Sequence, residues 1–326
     1  MRLVQDAGHI PVEPMILGLD IGGTKTAVVL GDRHGRILHR TEFLARPGHG
    51  FEPTFAELCE HIQRLRGPAL AAGEPPSVVS VSIGGPLEIE RGIIHAPPNL
   101  PDWVDIPLKS LLAERTGLPV YIEHDGNAGA LAEWYFGAAR GARNAIFLTM
   151  GTGFGGGLIL NGQLYRGTCD LAGEVGHVRI AENGPVAYGK AGSWEAFCGG
   201  AGIARWAAQR FPGRWGEAQV TARDVAELAH AGDPDALTVV HEVGRYLGRG
   251  LAILLDVLNP EVIAIGSLAV RLGELVLGPA REELQREALP QAVAACRIVP
   301  AQLGERLGDV AALCAAIQAL GGPVPS

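Results

Sequence analysis

Cysteine is scarce in this chain: five residues in 326 (Cys59, Cys169, Cys198, Cys296, Cys314), odd in number and without a CxxC pair. That excludes a disulfide framework and thiolate metal or redox motifs, and leaves buried free thiols as the expectation. Long apolar runs are missing too. Leu251 to Leu255 stops at Asp256, far short of the ~18 to 20 residues of a membrane span. The opening, Met1 to Pro14, holds Asp6, His9, Glu13 and two prolines, where a secretory leader needs a basic start and an apolar core, so a cytoplasmic protein is expected. No block of one charge sign occurs, and the net charge is −8. The electrostatic footprint of a nucleic-acid or lipid binder is therefore absent, and the expected partner is a small molecule, with no nucleic acid and no membrane. There is no solenoid repeat, low-complexity tract or long linker. Charged residues make up 19% and apolar residues 47%, ordinary proportions that exclude disorder and a coiled coil.

Glycine is what the chain has in excess: 46 residues, about twice the usual ~7%. A length of 326 predicts two domains at roughly 100 to 200 residues each. Ile16 to Leu19 reads as a strand that meets Asp20 and the turn Gly22-Gly23-Thr24, after which Ala27 to Leu30 and Ile37 to Leu38 continue a meander. The pattern recurs. Ala145 to Met150 runs into Gly151-Thr152-Gly153-Phe154-Gly155-Gly156-Gly157, Leu158 to Leu160 resumes, and Asn161-Gly162 turns the chain. One unusual topology used twice predicts two related α/β domains. Between the meanders, Phe55 to Leu65 and Leu108 to Arg115 have helical spacing, and Val78 to Ile83 and Val120 to Ile122 read as strands. A helix over Ala128 to Phe136 follows, with Asp125 at or just before its start. Further on, Val220 to Ala231, Ala236 to Leu258 and Leu272 to Ala288 read as helices, Val262 to Ile265 as a strand, Arg210 to Gln219 as an exposed loop, and Leu307 to Leu320 as an amphipathic helix.

Glycines after strands let backbone N–H groups approach a phosphate, and two such clusters suggest a nucleotide; the plainer alternative is a pair of tight hairpins. Gly151, Gly153 and Gly156 spell GxGxxG, but a hairpin follows where a dinucleotide fold needs a helix. Thr24, not glycine, precedes Lys25, so the GxxxxGK[ST] phosphate loop is not met either.

Three segments, Leu17-Gly18-Leu19-Asp20-Ile21-Gly22-Gly23-Thr24-Lys25, Thr149 to Gly157, and Ala172-Gly173-Glu174-Val175-Gly176-His177, resemble in order the ROK family of bacterial sugar kinases, repressors and uncharacterised relatives. The match runs from about residue 16 to about residue 320. The resemblance implies the two-domain α/β fold with a central cleft known as actin-like or hexokinase-like, a ribonuclease H-like architecture. Residues 1–123, completed by the helix 306–320, would form the first domain, and residues 124–305 the larger second one. It also implies transfer of the ATP γ-phosphoryl group to a sugar hydroxyl, in a homodimer. By carry-over, Gly22, Gly23 and Thr24 contact the transferred phosphate and Gly151, Thr152 and Gly153 line its other side. Asp20 holds hydrated Mg²⁺, and Lys25 offsets phosphate charge or is simply a solvated strand lysine. Gly266 opens the adenosine-side loop, with Ser267 where a second glycine is usual. Asp125 is the general base, against its plain reading as a helix cap. His124 stands where many relatives have asparagine, and Asn127 orients the turn. Gly84-Gly85-Pro86 and Pro98-Asn99-Leu100 resemble sugar loops; Gly85, Asn99, His124, Asp125, Glu174, His177 and Glu195 become the sugar contacts. Without the resemblance, Asn99 is a turn residue and His177 a core histidine.

The match breaks at one place. Many relatives bind zinc through the histidine of the Gly-His pair and three cysteines in Cys-x-Cys-Gly-x-x-Gly-Cys-x-Glu. Here the segment reads Val186-Ala187-Tyr188-Gly189-Lys190-Ala191-Gly192-Ser193-Trp194-Glu195, so no structural zinc is expected. The loop must be ordered by packing, through Tyr188 and Trp194, or wait for the sugar. The leading expectation is an ATP- and Mg²⁺-dependent hexose kinase acting on the glucose 6-hydroxyl. Kinases of fructose, allose, mannose, N-acetylglucosamine or N-acetylmannosamine are the runners-up. A sugar-binding regulator with weak or no catalysis is the alternative of another class, and a repressor or phosphoester hydrolase is disfavoured.

Overall fold

The computed structural model describes residues 14–324 apart from 47 and 217–219, so the reading of residues 1–13 as lacking a leader lies outside it. Strands β1 (Met15–Ile21), β2 (Lys25–Gly31) and β3 (Ile37–Leu44) form an antiparallel meander, and helix α1 (Phe51–Ala71) leads to β4 (Pro76–Ile83), parallel to β1. The short ladder of β5 (Leu87–Glu88) and β6 (Ile93–Ile94) and helix α2 (Leu108–Thr116) precede β7 (Val120–His124), which pairs in parallel with β4. Sheet order is β3-β2-β1-β4-β7. Ile16, Leu17, Leu19 and Ile21 are all buried, the mark of a central strand covered on both faces. Strand β3 runs to Leu44, six residues past Leu38, with His39, Arg40 and Glu42 facing solvent. It is an edge strand, where backbone pairing continues under polar side chains that periodicity alone does not read as sheet.

Helix α3 (Asp125–Phe136) crosses to the second half, where the same topology is repeated. Strands β8 (Ala145–Met150), β9 (Phe154–Leu160) and β10 (Gln163–Tyr165) are antiparallel. A small hairpin, β11 (Val186–Ala187) with β12 (Lys190–Ala191), is followed by α4 (Trp194–Cys198), α5 (Gly200–Arg210), α6 (Pro212–Trp215), α7 (Ala222–His230) and α8 (Pro234–Leu258). Strand β13 (Val262–Ile265) joins β8 in parallel. Helices α9 (Leu268–Leu272), α10 (Glu274–Glu287) and α11 (Pro290–Ala295) lead to β14 (Arg297–Pro300), and α12 (Leu307–Ala319) closes the fold. The second sheet has the order β10-β9-β8-β13-β14.

Helix ends obey local chemistry. Asp233 accepts from Asp235 N and Ala236 N at 3.1 and 3.0 Å, Pro234 takes the first helical position, and Asn259 ends α8 in the left-handed conformation. Thr221 and Asp224 form a capping box on α7.

Four expectations are corrected. The stretch 210–219 contains α6, whose Trp215 is buried against Phe211, so Pro212 and Gly216 start and stop a turn of helix where a loop is expected; its other side chains are largely exposed, and 217–219 lie outside the described residues. Gly273 separates α9 from α10, so the helix expected over Leu272 to Ala288 begins two residues later, at Glu274, and Leu272 closes the short helix before it. Helix α12 is not amphipathic: Val310 to Ile317 are buried all round, packed by β1, β4, β7 and α3. An all-apolar helix is the reading for a buried position, and α12 occupies one. Finally, Cys59, Cys198 and Cys314 are buried free thiols, but Cys169 is exposed and Cys296 half-buried.

Candidate active site

Strand β7 ends at His124 and α3 begins at once, so the helix starts earlier than its apolar spacing shows. The cap is His124, not Asp125. Gly126 N–H is shared between Asp125 Oδ1 at 2.7 Å and His124 Nδ1 at 3.2 Å, which leaves the proton of the neutral imidazole on Nε2. Asp125 is the first helical residue; half of its side chain is open, at 51% exposure. Its Oδ2 points toward Gly84, where an added methyl group would lie 3.7 Å away, and no donor among the described residues reaches it. One carboxylate oxygen is thus anchored and the other free to accept a proton.

The helix that presents Asp125 lies against β9, and the glycines of that strand explain how. A side chain at Gly157 would meet Gly126 O at 2.5 Å and Ala130 Cβ at 2.7 Å. Gly157, together with Gly156, whose carbonyl oxygen would lie 2.6 Å from a side chain at Gly126, therefore belongs to helix packing, while Gly151, Thr152 and Gly153 make the loop. Gly151 O accepts from Gly200 N at 2.8 Å, tying the loop to the start of α5. Gly266 is buried against Phe147; the exposed Ser267, at φ +50°, is the residue that turns its hydroxyl toward Gly151.

On the facing side, Gly22, Gly23 and Thr24 form the β1–β2 turn, closed by Gly22 N donating to Lys25 O at 3.1 Å. Gly23 lies so close to Asn99 that a Cβ there would stand 2.5 Å from the asparagine Cβ. Lys25 pairs with Glu42 at 3.3 Å, so it is engaged on the sheet surface. Asp20, at the end of β1, packs against Gly308 at the head of α12 and has no hydrogen-bond donor among the described residues. Burial, then the charges of Asp125 and Asp309, push its carboxyl up to about 6, against the pull of Lys25 and Arg40. An unsatisfied carboxylate with acidic neighbours fits a hydrated divalent cation, which takes oxygen ligands and retains water.

That shift has a sign. With its folded pKa above the unfolded value, Asp20 binds its proton more tightly in the native state, so its contribution to stability declines as pH rises from below 4 through about 6. Asp20→Asn is expected to stabilise the ligand-free protein by about 1–3 kcal/mol at about pH 8 and by less at about pH 4.5. Urea midpoints at the two pH values check this; equal midpoints at both would refute it.

The remaining residues form a contiguous line from Asp125 to the second glycine loop. A side chain at Gly85 would meet the His124 ring at 2.9 Å. His124 Nε2 lies 3.7 Å from Glu174 Oε1, and Glu174 Oε2 lies 3.8 Å from His177 Nε2. His177 is exposed and not a core histidine. Its ring stacks on Tyr188, and the Tyr188 hydroxyl donates to Glu195 Oε2 at 2.6 Å. Burial, and then Glu195, hold that phenol well above its ordinary range, so it stays a neutral donor. Glu195 sits on α4, capped by Ser193 Oγ, and its Oε2 also accepts from Phe154 N at 2.9 Å, beside Gly153. Val186 is exposed, Tyr188 is stacked and Ser193 is occupied as a cap. They do not fit a tetrahedral zinc site around His177.

Two features escaped the motifs. Glu123 is wholly buried at the end of β7 and pairs with Arg166, which follows β10; its other oxygen accepts from His124 N and from Asn127 Nδ2. The signal is a lone acid in a strand read as apolar, with no partner near in sequence. The second is the set of contacts made by Tyr188.

A model of the ROK family matches residues 16–319. The glucokinase of Thermotoga maritima is 32% identical over 317 residues, covering 94% of this chain and 98% of that protein. A ROK family glucokinase from Streptomyces griseus, solved in complex with glucose and AMPPNP, superposes with a TM-score of 0.77 at 32% identity, over 92% of this chain and 98% of that one. The xylose repressor of Bacillus spizizenii is 32% identical over 228 residues, 70% of this chain and 57% of that protein. The α/β architecture with two repeated sheets is accordingly the hexokinase-like one.

Proposed function

The chain belongs to the ROK family, and from that membership we propose that it is an ATP-dependent hexose kinase acting on the 6-hydroxyl of glucose. The observation that carries this reading is the place of Asp125. It heads α3 with one oxygen free, next to Gly84 and within electrostatic reach of Asp20. Sugar contacts are Gly85, Asn99, His124, Glu174, His177 and Glu195. Gly23, Thr24, Thr152, Gly153 and Ser267 offer backbone N–H and hydroxyl groups to the nucleotide phosphates, Gly22 and Gly151 close the two turns with their own N–H groups, and Asp20 would hold Mg²⁺ through water. Magnesium ATP, when bound, supplies the phosphoryl group and neutralises part of its charge.

Asp125 accepts the proton as the sugar oxygen forms its bond to phosphorus and the bond to the leaving oxygen breaks. Glu174 and Glu195 accept hydroxyl hydrogens, and His124 Nε2–H donates or bridges to Glu174. A site built from such groups rejects sugars that lack the matching hydroxyl. The same proposal includes domains of 1–123 with 306–320 and of 124–305, a cytoplasmic location and a homodimer. The exposed apolar residues Ile253, Val257 and Leu289 support self-association.

ADP release with Mg²⁺-ATP across hexoses and N-acetylhexosamines is expected to be strongest with glucose. A stronger response to another hexose replaces the substrate and keeps the class. Sugar binding without turnover would move the assignment to a sugar-sensing regulator, the second reading, which the xylose repressors favour.

A further inference from the structure

The hairpin between β11 and β12 places one side chain on two of the proposed sugar contacts at once. Tyr188 sits at its tip with φ of +53°, a conformation costly for any residue but glycine. Its ring lies 3.5 Å from the His177 ring at an interplanar angle of 18°, and its hydroxyl is 2.6 Å from Glu195 Oε2. Lys190, two residues on, donates to the His177 carbonyl. Glu195 Oε2 takes its second hydrogen bond from Phe154 N. Both donors hold the same oxygen, and no donor among the described residues reaches Oε1.

We infer that Tyr188 is a positioning residue: it fixes Glu195 through its hydroxyl and His177 through its ring, so that Oε1 and the imidazole edge are presented together to a polyhydroxyl ligand. The inference rests on the sugar-kinase reading for its ligand, but the arrangement itself does not. Three features separate positioning from packing. Tyr188 is 45% exposed, so it is no core residue. Its two contacts go to polar groups aimed along the same line as Glu174 and His124. And no metal-ligand set among the described residues includes His177, so the aromatic stack and the hydroxyl hold the two side chains without one.

The test uses the full chain, with histidine labelled at Cε1 and the His177 resonance assigned by its loss in His177→Gln. In wild type and in Tyr188→Phe the ring stack shields that resonance; in Tyr188→Leu it moves downfield. In turnover, Tyr188→Phe raises KM for the sugar about tenfold, with kcat and KM for ATP within about twofold, because one hydrogen bond to a charged group is lost. Tyr188→Leu raises it further. An unmoved resonance in Tyr188→Leu overturns the inference, as does an unchanged sugar KM in both variants of a protein that turns over. If the wild type releases no ADP with any sugar, the kinase reading falls instead, and the resonance alone decides whether Tyr188 positions His177.

Discussion

Asp125→Asn is expected to lower kcat by about 10³-fold, within the range that general-base catalysis contributes, and to leave the KM values for sugar and ATP within a few-fold. The substitution is nearly isosteric. Asparagine Oδ1 can still accept from Gly126 N, as Asp125 Oδ1 does at 2.7 Å, so α3 starts as before. The other position changes from a free acceptor to an amide that cannot take a proton. Loss confined to kcat is therefore the signature of a base, whereas a helix cap would show itself in the denaturation midpoint. Steady-state kinetics with far-ultraviolet circular dichroism on the same sample separates the two. A fall in kcat of less than about tenfold would place the base elsewhere, with Glu174 next in line because it faces His124 at 3.7 Å.

Much of the candidate site is legible in the sequence, and the parts that are not share a physical cause. Asp20, the two glycine turns and Asp125 are short segments whose geometry is set locally, by a turn or by the junction of a strand and a helix. Three motifs in order are enough to find them. The glycines of β9 show the limit: Gly151 and Gly157 look alike in a list of letters, but only packing against Gly126 and Ala130 shows that the later one makes room for a helix. Edge strand β3 and buried helix α12 fail for the complementary reason. Periodicity reports average burial, and β3 is paired yet wet, while α12 is covered on every side. Tyr188 could be suspected of ordering its loop from the missing cysteines. Its partners could not be known, because His177 and Glu195 are brought to it from 11 and 7 residues away in chain by a hairpin and a short helix.

The largest stability effect should come from Glu123, a residue that no motif marked. Its carboxylate is fully buried, and its loss takes an acceptor from Arg166, His124 N and Asn127 Nδ2 at once. Arg166 Nε reaches Oε2 at 2.9 Å, while His124 N at 3.0 Å and Asn127 Nδ2 at 2.9 Å share Oε1. Arg166 also donates to Gln318 on α12, so one acid ties β7, α3, the segment after β10 and the final helix. Glu123→Leu leaves a half-buried guanidinium and a buried amide without their acceptor, and Asn127 Oδ1 already has no partner. Breaking a buried pair from one side costs about 3–5 kcal/mol, and the linear urea extrapolation measures it. Glu123→Gln keeps an acceptor and should cost less. The double change Glu123→Leu with Arg166→Met removes both charges and should recover part of the loss, since the cost lies in the unpaired group more than in the missing bond. A Glu123→Leu protein within about 1 kcal/mol of wild type would show that water reaches this knot. With the knot intact, His124 N and the Asn127 side chain, on either side of Asp125, are held by the same carboxylate that binds Arg166, so one buried acid links stability to the setting of the proposed base.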